Sequence, residues 1–318
     1  MSNISDKKIK KINYFLTFLI LLIILNMVIF PKTYINSCFN GISAWALNVL
    51  PSVLPFMFFT KVLFELNIIE NFSKKYSDFT KKLYNTPPES FFVFLMSIIS
   101  GYPVGAKLTA DLYQSGKIKK SDAYKMTSFC STSGPMFIIG AVGMGMLSNV
   151  VCGYIIFLSH ILGAICNGFL YKNLKIKDDN FIKNNHLNLS KKQSIDIGEI
   201  VINSSLSIIS VGTIIAVFFI IIEFFSVFFA FLPQKLSIFL EGLIEITKGC
   251  IDISSNFSLT FATIFCSFII SFGGISTILQ SLTMLSKLDM PVSLFILQKF
   301  THALFALIFA LIFVIIII

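Results

Sequence analysis

Apolar runs of about 20 residues, enough to cross the hydrocarbon of a bilayer, recur from one end of this chain to the other. Residues 14–30, 42–69, 126–147, 151–171, 199–231 and 291–318 each read as such a run. A water-soluble globule holds about 45–50% apolar and about 25% charged residues. Here 55% of the 318 residues are hydrophobic and 13% are charged, which argues against a soluble fold. The chain reads as an all-α polytopic membrane protein. Its formal charge of +9 is carried by lysine alone, with no arginine anywhere, and the lysines gather in short loops. That pattern orients a membrane protein and does not suggest nucleic-acid binding.

The lysines predict a topology. Lys7, Lys8, Lys10 and Lys11 precede the first apolar run, no small-x-small cleavage site follows it, and it reads as a retained helix with a cytoplasmic N-terminus. Residues 31–41 are then expected outside. The run 42–69 returns to a cytoplasmic loop holding Lys74, Lys75, Lys81 and Lys82. Residues 91–116 are long enough to span, but the chain is broken at Ser100-Gly101-Tyr102-Pro103-Val104-Gly105, and Lys117, Lys119, Lys120 and Lys125 follow. If both lysine-rich loops are cytoplasmic, 91–116 is a re-entrant hairpin. The rest divides into a cytoplasmic linker over 172–198, a helix from 199 and an interfacial stretch over 233–252. A second broken segment, 257–287, is interrupted at Ser271-Phe272-Gly273-Gly274, and a final helix ends inside.

The predicted units are therefore 1–40, an N-terminal helix with its flank; 41–171, a first half with its hairpin; the 172–198 linker; and 199–318, a second half with its hairpin. Sliding the chain so that Ser100 falls on Ser271 puts Ile98 and Ile99 on Ile269 and Ile270, Phe94 on Phe265 and Leu108 on Leu279. The charges bring the first hairpin in from the cytoplasm and the second from outside. Opposite entry is the mark of two inverted-topology repeats, and matching interruptions in two halves point to a transporter binding site. The physics is the cost of bare backbone: an unwound helix in lipid frees N–H and C=O groups at several kcal/mol each unless protein or a wet cavity meets them.

In the first break, Gly101 and Gly105 permit unusual dihedrals, Pro103 stops a helix, and Ser100 and Tyr102 supply hydroxyls. The competing reading of Gly101-x-x-x-Gly105 is close helix packing, which Pro103 argues against. Lys107 lies beside the tip, with Asp111 one turn away. It is either a functional charge or a lysine snorkelling to the interface. A phosphate loop is excluded by the glycine spacing and the lack of a preceding strand. The run Thr127-Ser128-Phe129-Cys130-Ser131-Thr132-Ser133-Gly134-Pro135 predicts a second unwound stretch. Its candidate contacts are Ser131, Ser133 and Gly134, and across the repeat Ser271, Gly273 and Gly274. Gln298, Lys299, Thr301 and His302 are the polar groups at the corresponding place in the second half.

Other chemistry finds little support. The six cysteines form no Cys-x-x-Cys pair and read as small buried hydrophobes. His160 and His302 have no carboxylate cluster or His-x-x-x-His spacing beside them, so hydrogen bonding between packed helices is their plainer role. No hydrolase or nucleophile signature is present, and an enzyme is not expected.

Ser100-Gly-Tyr-Pro-Val-Gly-Ala-Lys107, Thr127-Ser-Phe-Cys-Ser-Thr-Ser-Gly-Pro-Met-Phe137 and Ile139-Gly-Ala-Val-Gly143 resemble the sporulation integral membrane protein YlbJ family. Ser271-Phe-Gly-Gly-Ile-Ser276 and Lys299-Phe-Thr-His302 fit its pattern too. The similarity runs from about residue 40 to the end. The chain is short for that family, and its second glycine motif lacks the Gly-Tyr-Pro of the first. The resemblance implies a nucleoside-recognition or Gate domain, a bacterial cell-membrane location and a role in endospore formation, particularly the cortex. The expected function is transport or binding of a small polar solute by alternating access between the two tips. The alternative is a non-transporting assembly factor for the cortex. No cofactor is expected beyond a coupling cation. The expected partners are the lipid bilayer and the solute, with a homo-oligomer compatible and no nucleic acid.

Overall fold

A computed structural model describes residues 2–65, 78–176 and 196–317, and every described element is helical. The lysines at 74, 75, 177, 183, 191 and 192, and most of the expected linker, lie outside those residues. Helix α1 (Ser2–Ile29) is followed, after Phe30, by α2 (Pro31–Ala44), a π-helical stretch (Trp45–Val49) and α3 (Leu50–Glu65). Short α4 (Asp78–Tyr84) leads to α5 (Glu89–Ser100), α6 (Val104–Gln114) and α7 (Lys120–Met126). A second π-helical segment (Met136–Met146) precedes α8 (Val150–Tyr171) and the long α9 (Ile197–Phe229). Then come α10 (Gln234–Ile244), α11 (Ile246–Asn256), α12 (Leu259–Phe272), α13 (Gly274–Met284) and α14 (Val292–Ile317).

Among the described residues, five helical stretches are long and apolar enough to cross a membrane: Pro31–Phe59, Val150–Tyr171, Ile197–Phe229, Leu259–Met284 and Val292–Ile317. Tyr14, Phe15 and Phe18 on α1 and Ile315 and Ile316 on α14 turn outward. Such large apolar faces are costly in water and ordinary against lipid.

Between lipid-facing helices there is no hydrophobic drive to associate, so close backbone approach has to hold them together. Small residues provide it. A methyl group on Gly163 of α8 would come within 2.9 Å of the Ala306 nitrogen on α14, and one on Gly143 would meet Gly153 at 2.7 Å. Helices α8, α12 and α14 pack together at the centre, and Ser267 of α12 donates to the Ala306 carbonyl at 3.3 Å.

Residues 31–41, expected outside after the first helix, are helical. Pro31 sits at the first helical position, where its missing N–H costs nothing, and a helix begins there. That helix lies on α9: Ser37 Oγ donates to the Phe219 carbonyl at 2.9 Å, and Gly41 abuts Ala216. At the turn over 148–149 the Asn149 side chain caps α8 through the Cys152 N–H.

The two interrupted segments are both helix–glycine–helix. Helix α5 ends at Gly101 (φ +75°), and α12 ends at Gly273 (φ +91°). The arms α5 and α6 pack on each other, and the outer arms α6 and α13 also meet.

Candidate functional site

The first break is held open by a neighbour. A side chain on Gly101 would lie 2.6 Å from the Gly134 nitrogen, and one on Gly105 would collide with the Cys130 carbonyl. The neighbour is the hydroxyl-rich stretch, which leaves the helix after Met126 and has no regular structure from Ser131 to Gly134. It is buried almost throughout, so its freed backbone groups need partners from elsewhere in the protein.

Helices α8 and α14 provide them. Asn167 Nδ2 donates to the carbonyls of Ser128 (2.7 Å) and Gln298 (2.9 Å), while Thr301 donates to its Oδ1 at 2.7 Å. Gln298 Nε2 donates to the Tyr124 carbonyl at 2.8 Å and its Oε1 accepts from Thr127. Ser133 N–H donates to His160 Nε2 at 2.8 Å. Thr132 reaches the hydroxyl of Ser97 on α5 at 3.1 Å.

Two partners also reach the second break. His160 Nδ1 lies 2.7 Å from Ser271 Oγ. Because Nε2 accepts from Ser133, the ring proton sits on Nδ1 and is donated to Ser271, which leaves the imidazole neutral. Tyr102 OH donates to the Ile270 carbonyl at 3.4 Å, and its ring tip stands 3.7 Å from where a Gly273 side chain would begin. The two breaks therefore approach each other with Tyr102 and His160 between them.

The amine of Lys299 occupies the centre of this cluster and is 2% exposed. It donates to Tyr102 OH (2.5 Å) and the Ser131 carbonyl (2.8 Å), stands 3.5 Å from His302 Nδ1, and lies 4.6 Å from the centroid of the Tyr102 ring. His302 Nε2 donates to the His160 carbonyl at 2.9 Å, so its Nδ1 is free to accept from the lysine. Among the described residues no carboxylate pairs with Lys299, and no group of three or more His, Cys, Asp or Glu residues could hold a metal.

Of the residues singled out from sequence, Gly101, Tyr102, Ser131, Ser133, Gly134, Ser271 and Gly273 come together here. Ser100 and Pro103 flank the first tip, and Gly105 seats it against Cys130. Gly274 faces away from the amine, toward the α10–α11 corner. Lys107 is exposed, outside the cluster. Sequence reasoning did not place Lys299 in the site or give His160 its bridging position. A signal for Lys299 was available: it is the single charge in a 26-residue apolar helix, and an ionisable group there marks a functional place by default.

Fold and cluster together define an all-α multi-pass membrane protein with a buried polar centre at two helix interruptions. The family model for the Gate domain, described as nucleoside recognition, matches residues 46–150. The sporulation integral membrane protein YlbJ of Bacillus subtilis (strain 168) is 26% identical over 314 residues, covering 88% of this chain and 77% of that one. No solved structure matches. The chain is thus a homologue of a sporulation integral membrane protein with a Gate domain, as the Ser-Gly-Tyr-Pro and hydroxyl motifs implied.

Proposed function

We propose that this protein binds a small polar solute between its two helix breaks and moves it across the bacterial cell membrane during sporulation, without covalent chemistry. The observation that carries the reading is the buried amine of Lys299, which sits between the breaks with no carboxylate of the described residues beside it. Burying a lysine amine with no counter-charge is expensive, and a chain retains one where something else arrives to meet it. A solute with carboxylate, phosphate or other strong acceptor groups is the complement. It would exchange with the Tyr102 hydroxyl or the Ser131 carbonyl on the amine. In this reading the two breaks belong to inverted repeats and enter from opposite sides, with the N-terminus cytoplasmic. Withdrawal of one tip opens the centre to the cytoplasm and withdrawal of the other opens it outward.

A second reading is an assembly factor for the spore cortex that keeps the fold without transporting. What favours it is that Lys299, His160, Asn167 and Gln298 already bond one another's surroundings, as a structural pin would. The test is a thermal-unfolding screen of the purified full chain against small carboxylates, phosphates, nucleosides and divalent cations. One acceptor-rich class is expected to raise the midpoint, and Lys299→Met is expected to abolish that rise. If no class shifts the midpoint and none enters proteoliposomes, the second reading stands.

A further inference from the structure

The second break has another neighbour besides the amine. Helices α10 and α11 are joined by one residue, Glu245, in extended backbone, and they fold back on each other so tightly that Gly242 and Gly249 touch. The resulting corner is pressed onto Gly274. A side chain there would meet Ile246 Cγ2 at 3.1 Å, the Ile244 carbonyl at 3.2 Å and the Ile246 nitrogen at 3.4 Å. The residues on either side of Glu245 thus form the seat of the second break, while Gly273, one residue earlier, faces Lys299 and Tyr102.

Glu245 is 2% exposed and is the one carboxylate buried among the described residues. It accepts from the Lys248 N–H at 2.8 Å as the cap of α11, and Thr247 also bonds it. The Lys248 ammonium is committed elsewhere, to Glu241 at 3.0 Å and Asp252 at 2.6 Å. Burial pushes the Glu245 carboxyl up from 4.5 to about 7, against the opposing pull of those hydrogen bonds and of the Lys248 charge. Cys250 lies on the same helix, with Cys266 of α12 beside it. Glu241 of α10 faces Lys248, and neither α13 nor the segment Met136–Met146 carries a titratable side chain. On α2, Lys32, Tyr34 and Cys38 are the titratable residues, and none of them bonds Glu245.

We propose that Glu245 is a proton-binding site coupled to the second break: its carboxyl holds a proton while the corner is seated on Gly274 and releases it when the break withdraws and water reaches the side chain. This rests on reading the second break as a moving element, and it assigns the proton as the ion that the movement carries. The sign follows from linkage. The seated state has the higher proton affinity, so the carboxyl's contribution to seating is fully present below pH 4.5, weakens as pH rises from there and is lost as pH passes about 7. The full effect, reached above pH 7, is bounded at roughly 300-fold in the seated-to-withdrawn ratio, since each tenfold change in proton affinity is a tenfold change in that ratio.

Two measurements test the assignment without any solute, so a failed search for a transported molecule leaves them unaffected. First, infrared difference spectra of the otherwise unaltered full chain in proteoliposomes are expected to show a protonated-carboxyl band lost between pH 6 and 8. That band is expected to be missing in Glu245→Gln. Second, in a cysteine-free background, Thr277→Cys places a buried thiol on α13. Its labelling rate by a membrane-impermeant thiol reagent, divided by the rate in the same protein carrying Glu245→Gln, is expected to rise by up to about tenfold from pH 6 to 8, and by more when the range starts at pH 5. A carboxyl band that titrates below pH 5, or one that persists in Glu245→Gln, overturns the proposal. So does a rate ratio flat with pH.

Discussion

Gly105 and Lys107 stand two residues apart on α6 and meet opposite surroundings. Gly105 presses on a backbone carbonyl, which cannot swing aside as a side chain can. Gly105→Ala is expected to lower stability by about 1–3 kcal/mol, the range for forcing a methyl group into a packed site. Lys107→Ala, at an exposed position, is expected to stay within about 0.5 kcal/mol of the parent. Thermal unfolding of the two variants side by side checks both. The same pair explains what the sequence did and did not disclose. Proximity to a break drew attention to Lys107, whereas Lys299 was noted only as one of several polar groups in the second half. What defines Lys299 is contact with Tyr102 and Ser131, residues nearly two hundred positions away in the chain. Local pattern carries no trace of such partners.

At the level of the element, the unwound stretch after α7 was legible because Gly134-Pro135 behind a run of hydroxyls is a poor helix. Its satisfaction was not legible, since the bonds come from Asn167, Gln298, Lys299 and His160 on helices whose sequences read as ordinary apolar spans. A polar side chain on a membrane helix looks alike whether it caps a neighbour's carbonyl or waits for a ligand. His160 is the element-scale joint, bonded to the unwound stretch on one side and to the second break on the other. His160→Leu is expected to speed amide exchange by at least tenfold in both 127–134 and 268–276. Exchange at 150–157, on the far end of α8, is expected to hold steady. Exchange that rises in only one of the two segments would mean that His160 does not join them.

For the molecule as a whole, the lysine distribution makes a claim about sides of the membrane that accessibility can test. Single cysteines replacing Asp78, Asp122 and Met284 in a cysteine-free chain are expected to react from the cytoplasm, the cytoplasm and the exterior, respectively. Opposite-sided labelling at 78 and 122 would make 89–114 an ordinary crossing and would remove the inverted repeat. The all-helical architecture and both interruptions could be read from residue order. The approach of the two interruptions was expected from their matching patterns, but the side chains that join them, from α8 and α14, were not.

The Gate match stops at residue 150, yet the cluster draws His160, Ser271, Lys299 and His302 from beyond it. A chimaera exchanging only the first 150 residues with a relative would inherit the phenol of Tyr102 and the carbonyl of Ser131 while leaving the ammonium donor behind. On the proposed reading, solute preference and the recognisable domain are separately inheritable, so two chains that share the matched region would diverge in what they bind through a few changes near the C-terminus.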